Sequence, residues 1–146
     1  MRRGVPLAHA AAAVVWIVVA NRLPAASIRA ADWSRPLRVE THGLTAYYPR
    51  AWHATVEDTT MVISTEHIWI WITRYGPARS GEFPPRPEHF ELEDANRGFQ
   101  SCGFGFDGWN LTYRDHGQVV QAVVRVDPGA PKSDATRVLD RIIALP

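Results

Sequence analysis

Two pairs of short segments with alternating apolar and polar residues constrain most strongly what this chain can fold into. Residues 37–48 alternate on both sides of the dipeptide His42-Gly43, and residues 109–126 alternate on both sides of His116-Gly117. A glycine-containing dipeptide between two alternating segments is typical of a β-hairpin, because glycine readily adopts the left-handed backbone of a tight turn. The sequence therefore predicts an antiparallel sheet assembled from hairpins.

Further strands and one helix complete the predicted domain. Strands are predicted at residues 53–57, 60–64 and 67–75, and the last of these is dense in isoleucine, tryptophan and threonine, which favour pleated sheets. Near the C terminus, apolar residues repeat three and four positions apart, as on one buried helical face: Ala135, Val138, Leu139, Ile142 and Ile143. The predicted fold class is α+β, an antiparallel sheet covered by a C-terminal amphipathic helix.

A charged and then apolar N-terminal segment predicts where the protein is located. Arg2 and Arg3 precede an apolar run, and residues 10–20 contain no polar side chain. This layout is typical of a secretory signal, and the run is shorter than the roughly 20 residues that usually span a membrane as a helix. We therefore expect residues 1–20 to form a hydrophobic signal peptide or membrane anchor.

The remainder of the chain divides into two parts. Residues 21–36 contain two prolines and scattered arginines, which predicts a linker, and residues 37–146 are predicted to form a single α+β domain. We expect this domain to be secreted or held at the cell membrane, on the outer side, with the N-terminal segment as its contact with the membrane. An alternative stays open, in which residues 5–20 form a packed helix of a cytosolic protein.

Composition argues against several classes of function. The formal net charge is +1 and basic and acidic residues are mixed along the chain, whereas nucleic-acid binding needs a concentrated basic face, so no nucleic-acid partner is expected. Cys102 is the only cysteine, so no intrachain disulfide can form. The histidines are scattered without the spacing of a metal-binding motif, so neither a metal nor another cofactor is expected.

The strand predicted at residues 67–75 carries the candidate binding residues. Its isoleucines alternate with Trp69, Trp71 and Tyr75, so the aromatic side chains share the opposite face. An aromatic face of this kind suits a sugar ring, a lipid or the apolar surface of a protein. We therefore predict a site for a protein or an apolar ligand at these three residues, with Trp109 as a neighbour. The alternative is that both faces of the strand are covered and the rings belong to the core.

Only a weak arrangement suggests catalysis. Cys102 lies in a glycine-rich stretch, and a base could come from His89 or His116. The stretch lacks the Gly-x-Ser-x-Gly spacing of a nucleophile elbow. A non-catalytic accessory or binding domain is therefore the favoured interpretation, and a small Cys/His-dependent hydrolase or a metal-dependent enzyme is the alternative.

Two parts of the sequence resemble one family of domains. In residues 41–52 a hairpin ends in Tyr48-Pro49 and Trp52 follows, which resembles the opening of PsbP/Mog-type domains. The C-terminal helix over residues 135–145 is similar to the helix that closes such domains. The resemblance implies an α/β/α sandwich around an antiparallel sheet. It also implies a non-enzymatic role beside a larger complex, often on the outer side of a membrane, as in small exported proteins of G+C-rich bacteria.

Overall fold

Eight strands and one helix make up the part of the chain that the structure, a computed structural model, describes: residues 28–92 and 107–146. In chain order these elements are β1 (Leu37–Thr41), β2 (Leu44–Tyr48), β3 (His53–Glu57), β4 (Thr60–Ser64), β5 (Ile68–Pro77), β6 (Asp107–Asp115), β7 (Gln118–Val126), α1 (Lys132–Leu139) and β8 (Ile143–Ala144). The described chain is thus mostly antiparallel β with one short C-terminal helix, which confirms the predicted class at that level. The predicted signal or anchor segment, residues 1–20, lies outside the described residues.

The strands form two sheets where the sequence predicts one. The smaller sheet has the order β1-β2-β8, the larger has the order β3-β4-β5-β7-β6, and all neighbouring pairs are antiparallel. The break falls between β2 and β3, where the Trp52 N–H donates to the Pro49 carbonyl across a tight turn at 3.0 Å. Proline cannot donate to a strand ladder, so the turn ends one sheet and redirects the chain into the next.

Both predicted hairpins are confirmed, and each turn has its glycine in the left-handed region of the backbone. His116 and Gly117 have φ values of 47° and 75°, the combination of a type I′ turn, whose twist suits paired strands. Gly43 has a φ of 92°, and a Cβ atom there would lie 2.6 Å from Nη1 of Arg74. Glycine is therefore favoured in the first hairpin both by the backbone and by the side chain packed over it.

One core lies between the five-stranded sheet and a second layer formed by α1 and the three-stranded sheet. α1 contacts β2 and β7, and its apolar side chains join those of both sheets. The largest fully buried side chains are Leu44, Met61, Ile63, Ile70, Ile72, Trp109, Val120, Val124, Val126, Val138, Leu139 and Ile142. Burial of an aliphatic side chain of this size stabilises a fold by about 1.5–3 kcal/mol relative to exposure. Core packing therefore supplies the stability of a domain that has no intrachain disulfide.

The helix is shorter than its apolar repeat predicts. It ends at Leu139, although the repeat continues to Ile143. Ile143 instead pairs with Thr45 of β2, and the N–H of Leu145 donates to the carbonyl of Gly43 at 2.8 Å. The edge of β2 thus takes up the C-terminal backbone, and sheet pairing replaces the last predicted helical turn.

The described part of the predicted linker is anchored on the helix. The backbone N–H of Ala31 and the indole N–H of Trp33 both donate to the carboxylate of Asp134, at 2.8 and 3.0 Å. The guanidinium groups of Arg137 and Arg141 lie 4.9 and 5.1 Å from the centroid of the Trp33 ring. This segment therefore contributes to the folded unit through residues that are 101 and 103 positions apart in the sequence.

Candidate functional site

The five-stranded sheet has one face toward the core and one face away from it, which we call the outer face. The outer face consists of alternate residues on all five strands: His53, Thr55, Glu57, Thr60, Val62, Ser64, Trp69, Trp71, Thr73, Tyr75, Gly108, Asn110, Thr112, Arg114, Val119, Gln121, Val123 and Arg125. Within residues 28–92 and 107–146, no helix or strand packs on this face, because α1 and the three-stranded sheet lie on the core side.

Strand β5 brings three of the predicted binding residues to the outer face. Its isoleucines are buried in the core, whereas Trp69 and Trp71 are half-buried and Tyr75 is 60% exposed. The predicted alternation of this strand is thereby confirmed. Val123 lies directly opposite Trp71 on the neighbouring strand, so the indole rings adjoin further apolar surface.

Trp109 lies on the opposite side of the same sheet. It pairs with Val124 of β7, and both side chains are buried in the core, with Trp109 only 1% exposed. Because alternate residues of a strand point to opposite faces, its ring points away from Trp69 and Trp71. This placement corrects the expectation that Trp109 adjoins the other predicted binding residues.

A ladder of hydrogen bonds crosses the outer face beside Tyr75. The Tyr75 hydroxyl donates to Oε1 of Gln121 at 2.8 Å, and Nε2 of Gln121 donates to Oδ1 of Asn110 at 2.8 Å. The register of β5 against β7 shifts between Arg74 and Gly76, and a bulge of this kind redirects a side chain. The bulge and the ladder together orient the Tyr75 ring, although most of its surface is exposed.

A proline-rich segment after β5, residues 78–87, runs along the edge of β6, and we call it the strap. Arg114 holds it in place. The backbone N–H of Arg114 donates to the Pro84 carbonyl at 2.8 Å, and its carbonyl accepts a hydrogen bond from the Arg86 N–H at 2.7 Å. The Nε of Arg114 also donates to the Phe83 carbonyl at 2.6 Å. The strap is therefore fixed to the sheet by hydrogen bonds to one strand residue.

Arg86 also fixes the strap to the C-terminal end of α1. Its Nη2 donates to the carbonyl oxygens of Asp140 and Leu139, at 2.6 and 3.4 Å. The N–H of Phe90 donates to the Asp140 carboxylate at 2.8 Å. A cation at the last turn of a helix pairs with carbonyls that have no partner within the helix and with the negative end of the helix dipole. The strap is thus hydrogen-bonded both to the sheet and to the end of the helix.

The strap and the outer face border a pocket of about 590 Å³, which we call the strap pocket. Its lining includes Tyr75, Arg79, Glu82, Phe83, Thr112 and Gln121. These side chains combine two aromatic rings with a cation, a carboxylate, a hydroxyl and an amide. The volume falls within the roughly 300–1,000 Å³ that is usual for small-molecule sites.

Comparisons with known proteins assign no ligand to the outer face or to the strap pocket. No family model, curated protein or solved structure matches this chain. The resemblance of residues 41–52 to PsbP/Mog-type domains therefore stays a prediction. In the described part of the chain, no helix combines the length and the apolar character needed to cross a membrane.

A second pocket, of about 510 Å³, lies beside the edge of β6 and is lined largely by prolines of the strap with Phe90 and Leu111. Tyr113 also lines it, with its ring centroid 5.2 Å from that of Phe90. Burial raises the pKa of Tyr113 above its ordinary range, Arg86 opposes this effect and Asp115 adds to it. The phenol therefore stays protonated near neutral pH and is unsuited to act as a general base.

The two histidines of the hydrolase alternative each lie beside a carboxylate. His89 and His116, the candidate bases of the hydrolase alternative, are 3.5 Å from Asp140 and 2.9 Å from Asp115. Among residues 28–92 and 107–146, no group of three or more histidine, cysteine, aspartate or glutamate side chains could hold a metal ion. Cys102, the candidate nucleophile, lies outside the described residues.

The sequence by itself does not identify the polar groups beside the aromatic rings. Gln121 and Thr112 could have been found, because their positions in a predicted hairpin place them on one face of two paired strands. The strap residues could not, because hydrogen bonds to residues far along the chain, such as Arg114, bring that segment back along the sheet. Nothing in the local sequence of the strap indicates this contact.

Proposed function

We propose that the protein is a non-catalytic binding domain whose ligand or partner lies on the outer face and contacts Trp69, Trp71 and Tyr75. One observation carries this proposal: the three aromatic side chains share a sheet face on which the described residues place no helix or strand. Tryptophan and tyrosine combine a large apolar surface with one polar group, which suits a surface that is wet when free and covered when bound. Contiguous apolar surface on a folded domain marks interaction sites.

The polar groups next to these rings suit binding better than catalysis. Gln121 and Asn110 are amides joined in the ladder, and Thr112 contributes a hydroxyl. Neither type of group ionises near neutral pH, but each can donate and accept hydrogen bonds. They can therefore orient a bound molecule without taking part in a reaction.

We further propose that the domain works on the outer side of a membrane, either secreted or anchored through residues 1–20. The charged start and the apolar run that follows support this location. The resemblance of residues 41–52 to PsbP/Mog-type domains supports an accessory role beside a larger assembly. The alternative of a cytosolic protein predicts that the full chain is found in the cytosol.

Site-specific crosslinking tests the proposed function. A photo-crosslinking amino acid replaces Val123 in the full chain, expressed in the cells that produce it, because this position lies opposite Trp71 on the outer face. We expect irradiation to yield one dominant adduct, analysed by mass spectrometry. Trp71→Ala should reduce the yield about tenfold, since it removes a large aromatic contact at the centre of the site.

Two controls accompany this experiment. The same crosslinker at position 47, an exposed tyrosine on the three-stranded sheet, should give no such adduct. Circular dichroism of Trp71→Ala and Trp69→Ala should show the fold of the unsubstituted chain. An adduct that survives both substitutions would contradict the proposal, and so would loss of the fold in both variants, since the rings would then be core residues.

A further inference from the structure

We propose that the strap pocket binds one ring of a neutral saccharide, stacked on Tyr75. This inference rests on the proposed function, because it assigns a ligand class to the Tyr75 end of the outer face. In addition, it assigns a chemical class to the ligand and contacts with that ligand to residues of the strap.

An aromatic wall borders the pocket at Tyr75. Tyr75 is 60% exposed, yet its hydroxyl is held by Gln121, which is held in turn by Asn110. A flat ring in a fixed orientation offers its face to the C–H groups of a sugar ring without losing further side-chain freedom on binding. Phe83 adds a second, half-buried aromatic side chain from the strap.

The pocket also offers a mixture of hydrogen-bond donors and acceptors. A sugar hydroxyl both donates and accepts hydrogen bonds, as a serine hydroxyl does, so its site needs both kinds of partner. Arg79 supplies donors, and its side chain makes no hydrogen bond or ion pair with the described residues. Glu82 supplies a carboxylate, of which Oε2 accepts a hydrogen bond from the Arg79 backbone N–H at 3.2 Å. Thr112 can act in either way.

The two charged side chains of the pocket have opposite signs. Arg79 and Glu82 lie on the same strap, only three positions apart, and both line the pocket. Because their charges cancel, the pocket has no net charge that would favour an anionic or a cationic ligand. A neutral ligand rich in hydroxyl groups can use both side chains at once.

The strap side of the pocket is held in place by hydrogen bonds within the protein. The strap is held by hydrogen bonds between Arg114 and both Pro84 and Phe83, and by Arg86 at the end of α1. A site whose walls are already in place spends little binding free energy on ordering loops. The pocket therefore has the aromatic wall, the hydrogen-bonding groups and the fixed geometry that a saccharide ring requires.

Calorimetric titration of the purified full chain tests this inference. The probes are maltopentaose, cellopentaose and chitopentaose, with inorganic phosphate and free glutamate as charged comparisons. We expect at least one oligosaccharide to bind and neither charged probe to bind. Tyr75→Ala should weaken that binding about tenfold, because it removes the stacking surface. Arg79→Ala should also weaken it, and this substitution changes an exposed strap residue that has no part in the core.

The matched control is Tyr47→Ala, which removes an exposed tyrosine from the other sheet and should leave saccharide affinity unchanged. Tyr75→Phe keeps the ring but removes the bond to Gln121, so it should weaken binding less than Tyr75→Ala. The inference is overturned if no oligosaccharide binds, if a charged probe binds in place of the oligosaccharides, or if Tyr75→Ala and Arg79→Ala both retain full affinity. A Trp71-dependent adduct at position 123 without saccharide binding would refute this inference and leave the proposed function standing. If neither the Trp71-dependent adduct nor saccharide binding is found, both this inference and the proposed function are refuted.

Discussion

At the scale of single residues, a buried carboxylate joins the two ends of the described chain. Asp134 is 3% exposed and accepts hydrogen bonds from Ala31 and Trp33, at 2.8 and 3.0 Å. A charge in the interior is tolerated only where hydrogen bonds compensate for the lost water. Asp134 also lies in the first turn of α1, where the helix dipole favours a negative charge. One side chain therefore serves the helix and the segment that packs on it.

Asp134→Ala should lower the free energy of unfolding by about 2–4 kcal/mol, because two donors lose their acceptor. Urea denaturation followed by circular dichroism measures this change. The matched control is Asp32→Ala, which removes an exposed carboxylate that accepts a hydrogen bond from the Ser34 N–H at 2.9 Å. Its unfolding midpoint should stay at that of the unsubstituted chain. Equal midpoints for the two variants would show that the Asp134 contacts do not stabilise the fold.

At the scale of secondary-structure elements, two hairpins that each have a glycine at the second position of the turn differ in what surrounds that glycine. Gly43 and Gly117 both have positive φ values, 92° and 75°. A Cβ at Gly43 would lie 2.6 Å from the Arg74 side chain, whereas a Cβ at Gly117 would have no described atom within 4 Å. Both turns therefore favour glycine because of its backbone conformation. Only the first hairpin also favours it because a neighbouring side chain occupies the space of a Cβ atom.

This difference predicts unequal effects of the same substitution. Gly117→Ala should lower the free energy of unfolding by about 1 kcal/mol, the cost of a left-handed alanine. Gly43→Ala should lower it by about 2 kcal/mol or more, because the Arg74 side chain must also move. Parallel urea denaturation of the two variants measures the difference. Equal losses would mean that Arg74 moves away from the turn at no cost.

At the scale of the whole molecule, the described elements cover only one side of the five-stranded sheet. α1 and the three-stranded sheet share the core side, and the strap follows one edge. Antiparallel sheets commonly leave one face to solvent, but such a face is usually polar. At Trp69, Trp71 and Tyr75 the outer face carries aromatic side chains instead, and we therefore propose that it binds a ligand or partner.

Truncation tests the extent of the folded unit. A chain of residues 37–146 should be less stable than a chain of residues 28–146 by about 3 kcal/mol, since it lacks the hydrogen bonds to Asp134 and the stacked Trp33 ring. Thermal and urea unfolding of both chains measure the difference. The chain 28–146 should match the full chain if residues 1–27 serve only in export or anchoring. Strong destabilisation on removal of residues 1–27 would favour the alternative of a packed N-terminal helix.

Cell fractionation with intact-mass measurement tests the proposed location. We expect the protein outside the cytosol. A mass lacking the N-terminal segment in the soluble exported fraction identifies a cleaved signal, and a full-length mass in the membrane fraction identifies an anchor. Full-length protein in the cytosolic fraction would contradict the proposed location and support the cytosolic alternative.

The sequence by itself determined the parts of this protein that depend on near neighbours. Alternation and the two His-Gly turns were enough to predict both hairpins, because the paired residues follow one another in the chain. The alternation of side chains along a strand was enough to place Trp69, Trp71 and Tyr75 on one face, because successive side chains point to opposite sides.

Only the tertiary structure decided the features that depend on residues far apart. The division of the strands into two sheets and the pairing of β2 with Ile143, a residue of the predicted helix, both depend on which distant strands pair. The strap pocket exists because Arg114 holds a segment that carries no strand pattern of its own. Local propensities amount to less than about 1 kcal/mol per residue, so hydrogen bonds and burial between distant residues outweigh them.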